Sequence, residues 1–233
     1  MVLTAPFRRA ASALVTAALV MTAAAGCSDE PDPAPDAGLI GVTTMRGAFL
    51  QAAEIGPTWS APQQSSDPQQ LPSFCGGTDA APQVPPGAEV VSSSFADEGS
   101  KGAQTLHQTA LVYPDEDAAK AGQALLQAVA DKCQASVSVP ATVTADRNEP
   151  AYTETVEVRK LDEGGWSGFV IVRHKLYEAA HPGTADTAVA VLNSRNVVLV
   201  DTYALYRLDN ASASPGFEND WQRLLGTVVQ RVG

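Results

Sequence analysis

The sequence predicts an α+β domain: a mostly antiparallel, twisted sheet of five to six strands, two or three flanking helices and one disulfide. Three observations predict it. Short runs between Gln104 and Tyr206 alternate apolar and polar residues, and some are separated by turn-forming residues. Two other stretches, after Asp115 and after Ser214, place apolar residues at helical spacing. Runs of strands flanked by helices, with no strict strand–helix alternation, belong to the α+β class. The third observation is a pair of cysteines, Cys75 and Cys133, in a chain that begins with an export signal.

That signal is the first element. Arg8 and Arg9 precede an apolar run, Ala10 to Ala25, which ends in Ala24-Ala25-Gly26-Cys27. The order of basic region, apolar region and small residues describes a signal peptide over residues 1–26. Its last four positions look like a bacterial lipobox, although Ala24 stands where leucine is usual. Cys27 is then the lipidation site and the first residue of the mature chain. The rival readings are a retained signal anchor and ordinary secretion with a spare thiol. The apolar run is shorter than the ~20 residues a bilayer span needs, and the acidic segment behind it is no stop-transfer flank. Two or three acyl chains hold a protein on a membrane where one does not. Arg8-Arg9 lacks the flanking residues of a twin-arginine motif, so the export route stays open between the two systems.

Residues 27–42 read as an acidic, proline-bearing tether, with Pro31, Pro33 and Pro35 among Asp29, Glu30, Asp32 and Asp36. Extended at about 3.1 Å per residue, it spans up to roughly 45 Å. Residues 43–233 form the single folded domain. A short helix is expected from Thr43 or Thr44, with Met45, Phe49 and Ala53 on one side, Gly56-Pro57 as its stop and Trp59 packed against it. Pro57 to Glu89 is proline-rich and loop-like, and Cys75 pins it.

Gln104 to Tyr113 reads as a strand. The next helix is capped by Asp115 or Asp117 and carries Ala118, Ala121, Leu125, Val129 and Cys133 on one face. A loop, Val137 to Asn148, leads to a hairpin of Thr153–Leu161 and Trp166–Tyr177 around Asp162-Glu163-Gly164-Gly165. A second hairpin pairs Thr187–Leu192 with Val197–Tyr206 around Asn193-Ser194-Arg195-Asn196. Both faces of its second strand and of Trp166–Tyr177 carry apolar residues, as strands covered on two sides do. The closing helix has Ser214 as cap, Pro215 in its first turn, and a stripe of Phe217, Trp221, Leu224, Leu225, Val228 and Val232.

Composition narrows the function. The formal net charge is −11, and loss of Arg8 and Arg9 with the signal leaves −13. Such a field repels nucleic acid and keeps the body off an anionic membrane, leaving the lipid on Cys27 as the membrane contact. The Cys75–Cys133 disulfide closes a loop of about sixty residues, a constraint of roughly 4 kcal/mol.

The segment Ala130-Asp131-Lys132-Cys133, the paired hairpins, Val197-Val198-Leu199-Val200 and the closing Val228-Val229-Gln230-Arg231-Val232 resemble the extracellular sensor domain of the PknH kinase family and its actinobacterial lipoprotein relatives. The likeness spans Thr43 to Gly233. It implies a disulfide-stapled antiparallel sheet flanked by helices, with a cleft suited to a small ligand. The family's two disulfides reduce to one possible pair here, and no kinase is attached, so the resemblance implies binding rather than signalling across a membrane.

Motifs for covalent chemistry are scarce. Gly165-Trp166-Ser167-Gly168 misses the nucleophile-elbow pattern, because Phe169 stands where the second glycine is needed. His107, His174 and His181 lack metal-ligand spacing, and nothing calls for a cofactor. Asp115-Glu116-Asp117 is explained by the helix dipole better than by calcium. Asn210-Ala211-Ser212 matches a glycosylation sequon by letters alone. Trp166 and Trp221 read as core. Arg173, Lys175, Asp201 and Tyr203 lie on the long strands, where they either pair across a solvated face or line a ligand cleft. The expectation is an extracytoplasmic, lipid-anchored, non-catalytic binding or sensor module for a small envelope ligand or protein partner. An envelope hydrolase or transferase, with a site assembled from distant residues, and a scaffold are the alternatives.

Overall fold

A computed structural model describes residues 38–62, 70–99, 102–144, 148–208 and 216–233. Cys27, Asn210, Ser214 and Pro215 lie outside them. Two short helices, α1 (Val42–Ala48) and α2 (Ala52–Ile55), precede the first hairpin, β1 (Glu89–Gly99) and β2 (Gly102–Val112). Helix α3 (Glu116–Ala130) leads to β3 (Ser136–Val139) and the small pair β4 (Thr142–Val143) and β5 (Asn148–Glu149). Four long strands follow, β6 (Tyr152–Glu163), β7 (Trp166–Tyr177), β8 (Thr184–Ser194) and β9 (Val197–Arg207), then helix α4 (Phe217–Val232).

Seven strands form one sheet in the order β1-β2-β9-β8-β7-β6-β3, every described pair antiparallel. After the β1–β2 hairpin the chain crosses through α3 to the far edge. It then walks back strand by strand until β9 seats beside β2.

The sheet is larger than the five to six strands expected, by β1 and β3. Val90-Val91-Ser92-Ser93-Ser94 breaks the period-two pattern, so β1 owes its existence to full pairing with β2, from Glu89↔Val112 to Gly99↔Gly102. Strand β3 overlaps the start of the expected Val137–Asn148 loop and takes its conformation from the edge of β6. Both predicted hairpins are present, turning at Gly164-Gly165 and at Arg195-Asn196. Positive φ at both glycines suits the first turn.

Helices cover both faces of the sheet. Under α1, α2 and α4 lies one core, built from Met45, Phe49, Val170, Leu199, Tyr203, Trp221 and their neighbours. The other lies under α3 and the segment around Leu71 and Phe74, with Leu111, Phe169, Ile171, Val189, Val191, Val198 and Val200. This double cover is why β7, β8 and β9 are apolar on both sides. Buried Asn196 binds the layers: its amide donates to the carbonyls of Ile40 and Tyr113, and its Oδ1 accepts from the Ile40 N–H. Ile40 is therefore already packed in the core ahead of Thr43.

Three expectations about helices change. The first helix is two, broken at Phe49–Gln51, where Gln51 caps α2 and the Leu50 N–H turns to the Gln108 side chain. Ala53 consequently faces out while Met45 and Phe49 stay buried. Asp115 caps α3 through the Ala118 N–H, as expected, yet the buried face is Ala119, Gly122, Leu126 and Ala130. Leu125 is 54 % exposed and Leu126 1 %. Adjacent leucines let either stripe read as apolar in sequence. The Tyr113 ring decides between them, because a Cβ at Gly122 would sit 2.2 Å from its hydroxyl oxygen, so the glycine must face the sheet. Helix α4 buries the expected stripe with Val229 added, and starts from Gly216.

Candidate functional site

Helix α3 covers only one end of its sheet face. Beyond it the register lines up Ser94 on β1, His107 on β2 and Thr202 on β9 as direct neighbours in one row. Strand alternation turns all three to the α3 side. With Ser92 and Thr109 in the next row, they floor a cleft of about 380 Å³ walled by Gln70, Leu71, Pro72, Ser73 and Ala81. Ser94 Oγ and His107 Nδ1 are 2.9 Å apart. Burial holds the His107 ring below the ordinary histidine pKa, which leaves the imidazole neutral at pH 7. Thr202 is 5 % exposed, and its hydroxyl has no hydrogen-bond partner among the described residues. Among the described residues, none in the lining carries a formal charge at that pH.

The wall is held by covalent and ionic ties. Cys75 and Cys133 form the expected disulfide, which staples the segment to the end of α3. Next to it, Gly76 and Gly77 adopt positive φ over the buried Glu154 of β6. A Cβ at Gly76 would lie 2.4 Å from Glu154 Oε2, and that same oxygen accepts from the Gly77 N–H at 2.8 Å. Arg173 Nη1 sits 3.2 Å from Glu154 Oε1. A buried carboxylate needs such a partner, so Arg173 supports the turn that carries Cys75.

The candidate ligand residues do not converge. Arg173 is on the α3 face, outside the cleft lining, whereas Asp201 and Tyr203 project to the opposite face under α1 and α4. One cleft cannot take all three, because residues of opposite pleat parity point to opposite sides of a sheet. Asp201 accepts from Gln108 Nε2 at 2.9 Å, and Gln108 Oε1 accepts from the Leu50 N–H at 2.9 Å. Full burial raises the Asp201 carboxyl to about 7, against the opposing hydrogen bond from Gln108. Tyr203 stacks on Phe217, donates to Gln104 Oε1 at 2.6 Å, and is pushed up to about 12 by burial. Lys175 Nζ lies 3.9 Å from the centre of the Tyr152 ring and 3.3 Å from Glu149 Oε1.

Sequence reasoning singled out His107 only to ask about metals, and missed Ser94, Thr202, Gln108 and Glu154. Their sequence signal is weak: serine, threonine and glutamine on alternating strand positions read as a wet face. Gly168 of the hydrolase-like string has a steric role, since a Cβ there would meet the Val191 carbonyl oxygen at 2.0 Å. Among the described residues no cluster of three metal-ligating side chains occurs, and no helix is long and apolar enough to cross a membrane.

Fold and cleft together define a disulfide-stapled antiparallel sheet between two helical layers, with a cleft at one end of one face among the described residues. That architecture is similar to the extracellular domain of PknH from Mycobacterium tuberculosis, with a TM-score of 0.53 and 16% identity over 83% of this chain and 97% of that one. At this identity the likeness is one of fold. No family model matches the chain, and no curated protein does.

Proposed function

We propose that this protein is an exported, lipid-anchored binding module of the sensor type, working without covalent chemistry. The observation that carries the reading is the cleft floored by Ser94, His107 and Thr202, a part of the α3 face that the described residues leave uncovered. Pinning of its wall by the Cys75–Cys133 bond and the Glu154–Gly77 contact supports a preformed site, in which little ordering cost opposes binding. The fold shared with the extracellular domain of PknH supports an extracytoplasmic setting, and Cys27 is the residue we assign to the anchor. The net charge of −11 argues against nucleic acid as a partner, and a small envelope molecule is the ligand we assign to the cleft.

The test is native mass spectrometry of the full chain purified from its own host. A co-purifying small molecule is expected. Empty protein that turns over envelope substrates would overturn the reading. Cys27→Ala should move the protein from the membrane fraction to the medium, and retention in membranes would refute lipid anchoring.

The Ser94–His107 pair favours one second reading, a hydrolase with Ser94 as nucleophile. Against it, Ser94 is the one hydrogen-bond partner of the His107 ring among the described residues, so no carboxylate there orients the base. Covalent labelling of Ser94 by a fluorophosphonate, lost in Ser94→Ala, would favour the enzyme.

A further inference from the structure

We infer that the cleft takes an uncharged, polyhydroxylated ligand of one or two sugar rings, seated on the Ser94–His107–Thr202 row. The inference rests on the binding-module reading and adds the chemistry of what is bound.

Charge is the first argument. The lining contains serine, threonine, glutamine, proline, leucine, alanine and one histidine kept neutral by its burial. An anion or cation entering it would lose hydration with no opposite charge to meet among the described lining residues, a large cost for any ion. Net charge of −11 on the chain adds repulsion for anions.

Hydrogen-bonding capacity is the second. Hydroxyls of Ser92, Ser94, Thr109 and Thr202 each donate and accept, as does the Gln70 amide, and a neutral imidazole does both through its two nitrogens. With His107 Nδ1 engaged by Ser94, Nε2 remains for a ligand. Thr202 is the sharper sign: its hydroxyl is buried at the floor of the cleft and has no partner among the described residues, an arrangement that a ligand hydroxyl would complete. A set of two-way groups matches ligands whose own groups are two-way, which are alcohols rather than carboxylates or amines.

Size and shape are the third. A volume of about 380 Å³ stands near the lower end of the range for small-molecule sites. Leu71, Pro72 and Ala81 add apolar surface to the lining, which suits the C–H face of a sugar ring.

The experiment uses the full chain in a detergent without a sugar headgroup, probed by saturation-transfer NMR and calorimetry. Glucose, mannose, N-acetylglucosamine and trehalose are the neutral probes; glucuronate and glucosamine are their charged counterparts. At least one neutral probe should bind, and its charged counterpart about tenfold or more weakly. Thr202→Val, which removes only the unpartnered hydroxyl, should keep or raise the melting temperature while weakening binding about tenfold. Thr202→Ser should retain it. Tighter binding of glucuronate or glucosamine, or a charged or lipid molecule on the host-purified protein, would overturn the inference and leave the binding module standing. Failure of every neutral sugar at millimolar concentration, with a different cargo in native mass spectra, overturns it likewise. Failure of both sugar and cargo removes the binding reading as well.

Discussion

Replacing Asp201 by asparagine should make the domain more stable in neutral and basic solution and abolish a specific part of its pH dependence. The carboxyl is fully buried, with a pKa raised from 3.8 to about 7. Between those values the folded chain holds a proton that the unfolded chain has released, so stability falls as pH rises. The slope is about 1.4 kcal/mol per pH unit. Across a rise of roughly three units the loss reaches about 4 kcal/mol, fully expressed once the pH exceeds the folded value. Below the unfolded value both states are protonated and the contribution is intact. Asparagine keeps the shape and still accepts from Gln108, so it retains the bond to the α1–α2 break without a charge to bury. The assay is thermal unfolding of both proteins by circular dichroism from about pH 4 to pH 8, where 4 kcal/mol corresponds to a shift of about 8–16 °C. Wild type should lose that much relative to the variant as pH rises. Parallel melting curves at every pH would refute the reasoning, since they would mean that Asp201 titrates alike in both states.

Other perturbations address packing and the cleft wall. The double variant Cys75→Ala, Cys133→Ala frees the wall from α3 and should cost about 3–4 kcal/mol of stability, read by urea denaturation. Equal midpoints for the double variant and the oxidised wild type would show that the bond does not constrain the unfolded chain. On α3, Leu126→Ala should cost about 2–5 kcal/mol while Leu125→Glu stays within about 0.5 kcal/mol, because only Leu126 is buried. The reverse order would place the helix face where the sequence pattern puts it.

Much of the fold is legible because burial leaves a period in the chain. The β6–β7 and β8–β9 hairpins announce themselves by apolar runs around Gly164-Gly165 and Arg195-Asn196, and α4 by its apolar stripe. Where a segment takes its form from a neighbour, that period is missing. Strand β1 is a serine run until β2 pairs with it, and β3 is a loop until β6 does. Helix α3 shows the intermediate case: its existence is readable from Asp115 and the helical spacing, yet its rotation depends on Tyr113 beneath Gly122. The candidate site is the least legible part. Arg173, Asp201 and Tyr203 stand out in sequence because they are polar among apolar residues, but they belong to structural contacts on two different faces.

By itself, then, the sequence determined the α+β class, the two long hairpins, the closing helix and the pairing of Cys75 with Cys133, all local or combinatorial features. Tertiary structure alone decided that β9 seats beside β2, and with it that Ser94, His107 and Thr202 form one row. The physical reason is that hydrogen-bond register between strands far apart in the chain is set by mutual burial. No single segment contains that information, and the cleft exists only once three strands are in register and α3 has stopped short of covering them.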